Sequence, residues 1–417
     1  MNLLDTASLV VTPNGFKASK LYSIIPSDGT GDMTFARTGD TATRVNPSGL
    51  IEVDAANIPR IDYLGGGCPK LLLEPQRTNL ILQSQGLGSA SWTKTNSPTI
   101  VSNVVVAPDG TTTADSIQSA DGTNYKYISQ TFSVSANSTY TFSTFVKKET
   151  TRTNFGGVSL YFSGGTAKSV YVAFNEVSGI ATNLTDSNLT PVIKVDDYGT
   201  YWRLSITATD TGSNTSLIAY FYATISTNGT SLGAAAGSAR TIWGLQLEAG
   251  AYATSYIPTT TASVTRNADT YEKTSVTALI GQTEGTMFWD GTINGTIPSI
   301  VVLMSLRNSS NANQYRYLSI STSSRIQFLE YNGSTQALIQ TGTNFYVLGN
   351  RYKIAVAYKE NDFVLYINGV QIGTDTSGTV FAADKIATEP DNLVKLNSQI
   401  LWKTRLTNQE LVTLTTL

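Results

Sequence analysis

The sequence predicts an all-β chain: a β-rich N-terminal segment (residues 1–83) followed by two tandem β-sandwiches (84–262 and 263–417). Three observations predict it. Short runs of alternating apolar and polar side chains recur at regular spacing, the period-2 pattern of half-buried strands. Turn residues separate them, with Asn332-Gly333 and Asn368-Gly369 standing as two-residue hairpin turns. Charged residues are only 14% of the 417, against about 25% in ordinary globular chains. Ser, Thr, Asn and Gly fill the gap, and Tyr (21) outnumbers Phe (14), the composition of a neutral, hydroxyl-rich, extracellular type of surface. A chain of this length exceeds one small core, so two or three domains are expected.

Residues 1 to about 34 hold two β-prone pieces, Ser8-Leu9-Val10-Val11 and Lys20-Leu21-Tyr22-Ser23-Ile24-Ile25. The turn sequence Pro13-Asn14-Gly15 separates them, and Ser27-Asp28-Gly29 ends the second. No heptad pattern marks a coiled-coil stalk. A hairpin follows: Ala42-Thr43-Arg44-Val45 and Leu50-Ile51-Glu52-Val53 flank Asn46-Pro47-Ser48-Gly49, a type I turn with Pro second and Gly fourth. Pro59 keeps the residue before it extended. Gly65-Gly66-Gly67 is a flexible joint, and Leu71 to Leu73 is a buried run that Glu74-Pro75 ends. Four arginines (Arg37, Arg44, Arg60, Arg77) and four acids (Glu52, Asp54, Asp62, Glu74) alternate through this stretch. Two readings are open: a solvated surface with local ion pairs, or a set of charges pinning a segment poor in apolar residues onto the next domain.

The order Phe35-Ala36-Arg37, Ser48-Gly49-Leu50-Ile51, Ile58-Pro59-Arg60-Ile61-Asp62-Tyr63, Leu71-Leu72-Leu73-Glu74-Pro75-Gln76-Arg77-Thr78-Asn79-Leu80 and Trp92 resembles a segment common in virion proteins of tailed bacteriophages. The resemblance implies an attachment segment at residues 1–83. Arg37, Arg60, Asp62, Glu74, Arg77 and Asn79 are its motif residues.

In 84–262, strands are expected at 140–146, 158–162, 169–174, 201–207, 217–225 and 240–248. Tyr140, Phe142 and Val146 share one face. Tyr140-Thr141-Phe142, Trp202-Arg203-Leu204-Ser205-Ile206, Trp243-Gly244-Leu245-Gln246-Leu247-Glu248-Ala249-Gly250 and Ala253-Thr254-Ser255-Tyr256-Ile257-Pro258-Thr259 resemble the jelly-roll carbohydrate-binding-module family. Thr-rich 259–269 reads as the linker. In 263–417, Thr286-Met287-Phe288-Trp289-Asp290 and Arg325 to Tyr331 are strands, and Tyr352, Ile354, Val356 and Tyr358 alternate. Phe363 to Ile372 around Asn368-Gly369, with Ile400-Leu401-Trp402 to Leu411, resembles the laminin-G-like, concanavalin-A-like family. Asn408 to Leu414 is a helix with Thr407 as N-cap.

The chemistry is bounded mostly by what is missing. The chain has no His, which removes every Ser-His-Asp or Cys-His arrangement. One cysteine, Cys68, allows neither an internal disulfide nor a zinc cluster. A net charge of −2 gives no electrostatic reason for nucleic-acid binding. No signal peptide and no membrane span are expected. Glycosidases need two carboxylates across the scissile bond. No Glu-x-Asp-x-Glu run occurs, Glu248 stands alone beside Trp243, and Asp196 and Asp197 point to opposite faces. Calcium is a family habit, but no spacing picks out Asp109, Asp121, Asp196 or Asp290 from ordinary turn aspartates. No cofactor is expected. Trp202, Trp243 and Trp402 are assigned to cores. Tyr125, Tyr127, Tyr220, Tyr222, Tyr315 and Tyr317 are the candidate glycan platform, weighed against core or ordinary surface.

The expectation is a non-enzymatic structural protein of a tailed-phage virion. It would be a head or tail fibre or decoration protein, assembled in the host cytoplasm, homotrimeric, and partnered by capsid or tail proteins. The alternative is an adhesin for host-surface or mucus glycans; a second alternative is a polysaccharide depolymerase.

Overall fold

The chain, seen in a computed structural model, is all-β with two sandwiches. The structure describes residues 3–152, 154–184, 189–237, 239–295, 300–391 and 393–417, and Asn14 through its backbone alone. Among the described residues the one α-helix is Asn408–Thr415. It starts where its sequence dictates. The Thr407 hydroxyl accepts from the Glu410 N–H, and the Glu410 carboxylate accepts from the Thr407 N–H, a capping box. No helix among these residues is long and apolar enough to cross a membrane.

The first sandwich has two six-stranded antiparallel sheets of jelly-roll type. The inner sheet runs Thr99–Val105, Ala114–Gln118, Arg240–Ala249, Thr139–Lys147, Tyr201–Thr209, Val192–Tyr198. The outer sheet runs Ala181–Asn183, Lys168–Phe174, Phe155–Ser163, Ser216–Ser226, Tyr127–Ser133, Thr93–Thr95. Alternation makes the core. Phe142, Leu204, Ile206 and Leu247 face Val158, Leu160, Val172 and Phe221 from the opposite sheet. Trp243 and Trp402 are buried as expected, whereas Trp202 is half-buried, with Lys148 Nζ 3.8 Å above its ring.

The second sandwich is one long sheet that curls over. From Thr335–Gln340 it passes through 326–332, 311–320, 301–308, 385–387, 270–274, 33–36, 20–25, 9–17, 394–402, 284–293, 351–359 and 362–367 to Val370–Asp375. The two end strands return against each other. Three of these strands belong to the first 36 residues. Leu9–Lys17 pairs with Val394–Trp402, and Met33–Ala36 pairs with Thr270–Thr274. The N-terminal segment is β-rich, and its first three strands complete the second sandwich rather than standing ahead of both. Leu9, Val11, Leu21, Met33 and Phe35 enter that core, which explains why so apolar a stretch precedes the hairpin.

Other local readings shift for physical reasons. Pro13-Asn14-Gly15 is not a turn but part of one irregular strand. Pro13 has no N–H to donate, so the register slips between Val11↔Ser23 and Phe16↔Leu21 while the strand continues. Asn368-Gly369 is a tight turn with φ of 48° and 82°, and Ile367 faces Val370 across it. At Asn332-Gly333 only Gly333 has positive φ (72°), and Tyr331 faces Thr335 through a bulge. The hairpin Ala42–Val45 to Ile51–Asp54 forms as expected, closed by Gly49 N–H on Asn46 O at 2.9 Å. Its Val45 and Ile51 pack on Phe145, Tyr201 and Trp243, covering part of the inner sheet.

The stretch 259–269 is no free linker. Val264–Arg266 pairs with Arg77–Asn79, and Thr259, Arg266 and Asp269 are buried. Polar Thr and Asn side chains suggest an exposed tether only until the arginines and acids opposite them are counted.

Candidate functional site

Two kinds of constellation emerge: a buried ionic clasp and two outward tyrosine faces. The clasp takes in the attachment-motif residues. Arg60 is fully buried and donates to Glu74 Oε2 at 2.7 Å, to Ser255 Oγ at 2.7 Å and to the Thr43 carbonyl at 3.0 Å. Asp269 accepts from Arg60, from Arg37 at 3.1 Å and from the Glu74 N–H at 3.0 Å. Arg266 reaches Glu74 at 2.6 Å and the Pro75 carbonyl at 2.5 Å. Thus the N-terminal motif, the tail of the first sandwich at Ser255 and the entry to the second at Arg266 and Asp269 meet in one network. Burial alone would raise the Glu74 pKa, but Arg266 and Arg60 beside it win and hold the carboxyl well below the usual range.

The other motif residues extend the clasp. Asp62 accepts from Val45 N–H at 2.9 Å and from Lys395 Nζ at 2.6 Å, tying the hairpin to the second sandwich. Asn79, fully buried, donates to the Leu245 and Ile257 carbonyls and accepts from the Ile81 and Leu247 N–H groups. Arg77 donates to the Tyr252 hydroxyl at 2.9 Å, its guanidinium 5.0 Å from a tyrosine ring, again that of Tyr252. Arg37, Arg60, Asp62, Glu74 and Asn79 are all buried, so none offers a surface to a partner protein. Their work is internal. Sequence reasoning missed Ser255, Arg266 and Asp269, which lie about 190 residues further on and carry no local pattern.

The first tyrosine face lies on the outside of the outer sheet. Tyr127 and Tyr222 are cross-strand partners, and Tyr220 is two residues from Tyr222 on the same face. Tyr127 and Tyr220 rings meet edge to face at 5.1 Å; Tyr220 and Tyr222 stack at 5.7 Å; Tyr125 closes on Tyr222 at 6.1 Å. Tyr171 joins at 6.3 Å from Tyr222; its alternation in Tyr171-Val172-Ala173 was the signal for it. Tyr222 is 6% exposed and the others are half-buried, so the cluster is a shallow aromatic floor rather than a core. Burial by its neighbours pushes the Tyr220 phenol up to about 12.

The second tyrosine face is on the second sandwich. Tyr315 and Tyr317 alternate outward on either side of Arg316, which turns inward to a bidentate pair with Glu330 at 2.5 and 2.8 Å. Tyr315 stacks on Tyr317 at 4.3 Å and on its cross-strand partner Tyr331 at 4.8 Å. Beside them a hollow of about 200 Å³ is lined by Asn308, Gln314, Arg307 and Lys385. The six candidate tyrosines therefore fall into two faces, four on one sandwich and two on the other. None of their hydroxyls bonds to another described residue.

The remaining candidates are locally engaged. Asp109 and Asp121 accept from Thr111 and Thr123 two residues on, and Asp290 pairs with Arg351. No group of three acidic or cysteine side chains that can hold a metal ion gathers among the described residues. Glu248 is buried and bound by the Thr254 N–H at 3.0 Å. Asp196 pairs with Lys194, and Asp197 with Lys148.

No protein-family model matches the sequence, and no curated protein matches it; some solved structures do. The chain is similar to the CBM40 of the Ruminococcus gnavus IT-sialidase bound to α2,3-sialyllactose, with 15% identity over 33% of this chain and 84% of that one and a TM-score of 0.29. It is similar to the NanB sialidase of Streptococcus pneumoniae, with 15% identity over 34% of this chain and 25% of that one, TM-score 0.29. A third is the SAP-like pentraxin of Limulus polyphemus, with 16% identity over 31% of this chain and 68% of that one, TM-score 0.25.

Proposed function

We propose that this chain is a non-enzymatic glycan-binding protein, whose two sandwiches are clasped into one unit and each present a tyrosine face to sugars. The observation that carries the reading is the outward grouping of half-buried Tyr125, Tyr127 and Tyr220 around buried Tyr222, with hydroxyls that bond no other described residue. A pyranose ring offers C–H groups to stack on such rings and hydroxyls to meet the phenols. The second face adds Tyr315 and Tyr317 beside the amides of Asn308 and Gln314.

The non-enzymatic part is supported by where the carboxylates are spent. Glu248, Asp196, Asp197 and Asp290 are each held by a local donor or cation. The particle setting is the finer part of the proposal: a fibre or decoration protein of a tailed-phage virion, trimeric, meeting capsid or tail proteins. It rests on the resemblance of Phe35 to Trp92. The clasp supports a rigid, load-transmitting unit, and the buried motif residues direct the search for a docking surface elsewhere on the chain.

The experiment is a glycan array probed with the intact chain and with a Tyr127→Ala/Tyr220→Ala variant. Binding by the former and loss by the latter supports the reading; an array that stays blank for the intact chain and its oligomers removes it. Electron microscopy of purified particles checks the virion setting separately.

A further inference from the structure

A cavity of about 310 Å³ lies where the hairpin, the inner sheet and the second sandwich meet. That is the lower end of the size of ligand pockets, roughly 300 Å³. It opens to water at Lys194, whose side chain is 58% exposed. Its wall carries five cations and three carboxylates. Each carboxylate is taken: Asp62 by Lys395, Glu74 by Arg60 and Arg266, Asp196 by Lys194. Arg44 is matched by Glu52 and Asp54. Arg203 and Lys70 remain, with no carboxylate within 4 Å among the described residues.

Arg203 is the unusual one. It is 5% exposed, and its partners are neutral: Ser143 Oγ at 3.2 Å and the face of Phe145 at 5.2 Å. Its Nε has no hydrogen-bond partner among the described residues. Asp196 stands directly opposite it in the strand register, yet that carboxylate turns to Lys194 at 3.0 Å. A buried guanidinium without a counter-charge is costly. Its planar fork is matched by the two oxygens of a carboxylate. Lys70, which lines the same cavity, adds a second positive charge, and the Tyr198 ring supplies an apolar side.

We propose that this cleft binds the carboxylate of an acidic sugar residue, with Arg203 as the anion-holding group and Lys70 as the supporting charge. The sugar class follows from the glycan-binding reading above; the anion site follows from the charges alone.

The test uses the intact chain, with methyl glucuronide and methyl glucoside as probes, followed by titration calorimetry and by the shift in thermal midpoint that ligand binding brings. The wild type is expected to prefer the glucuronide by roughly tenfold or more, the scale of a charged hydrogen-bonded contact. Arg203→Gln is expected to erase the preference while leaving the neutral-glycan binding that Tyr127→Ala/Tyr220→Ala removes. Lys70→Gln, at a half-buried wall position, is expected to weaken it several-fold and serves if Arg203→Gln fails to fold. Equal binding of the two probes by the wild type, or an unchanged preference in both variants, overturns the proposal. Glucuronide binding that survives while every neutral glycan fails would keep the cleft and remove the tyrosine-face reading.

Discussion

The Arg60 guanidinium donates to the Glu74 carboxylate at 2.7 Å with both groups buried, and this pair sits at the meeting point of all three parts of the chain. Removing the Glu74 charge leaves Arg266 with no carboxylate partner among the described residues and Arg60 with Asp269 alone. Glu74→Gln is therefore expected to lower stability by about 3–5 kcal/mol, read by urea denaturation at neutral pH. A loss below about 1 kcal/mol would mean that Asp269 alone balances the arginines.

The same carboxylate sets an acid limb. Its pKa in the folded chain is depressed below the ordinary value of 4.5, so its contribution is complete above that value and drains away as pH falls beneath it. The wild type is expected to lose stability steadily below pH 4.5, with a shallower slope in Glu74→Gln. Parallel slopes in the two proteins would contradict the assignment.

Asn79 satisfies four backbone groups from one buried side chain, those of Leu245 and Leu247 on one strand and of Ile81 and Ile257 in flanking loops. Asn79→Ala strands those groups in a dry site and is expected to cost about 3 kcal/mol or more. Asn79→Asp keeps the two acceptor bonds but loses the donors, and is expected to destabilise as well. Thermal unfolding of both variants checks this.

Because strands 9–17, 20–25 and 33–36 lie within the second sandwich and the clasp joins it to the first, the chain is expected to unfold as one cooperative transition. Deleting residues 3–36 would expose Trp289, Leu401 and their neighbours in that core, giving an aggregating product. Calorimetry showing two separate transitions in the intact chain would mean the clasp is weaker than its burial implies.

How much of this was legible follows from the range of each interaction. The hairpin at Asn46-Pro47-Ser48-Gly49, the helix capped by Thr407 and the alternating strands were readable because turn chemistry, capping and side-chain period are local. Tyr127 and Tyr222, or Tyr315 and Tyr317, could be marked as outward candidates from alternation alone. What alternation does not specify is which strands pair. Leu9–Lys17 looks like the start of a separate segment until Val394–Trp402 lies beside it. Thr259 to Asp269 looks like a tether until Arg37 and Arg60 find Asp269. Arg203 sits in the Trp202 to Ile206 run, which reads as a strand and gives no sign of an unpaired charge. Its isolation appears only once Asp196 is seen to choose Lys194.

The most direct measurement is titration of a neutral oligosaccharide selected from the array into the intact chain and into Tyr127→Ala/Tyr220→Ala, with folding of the variant confirmed by its near-ultraviolet circular dichroism. The account predicts saturable binding to the wild type and a loss of roughly tenfold or more in the variant. Equal affinity in the two proteins would contradict the central claim that the tyrosine face holds the sugar.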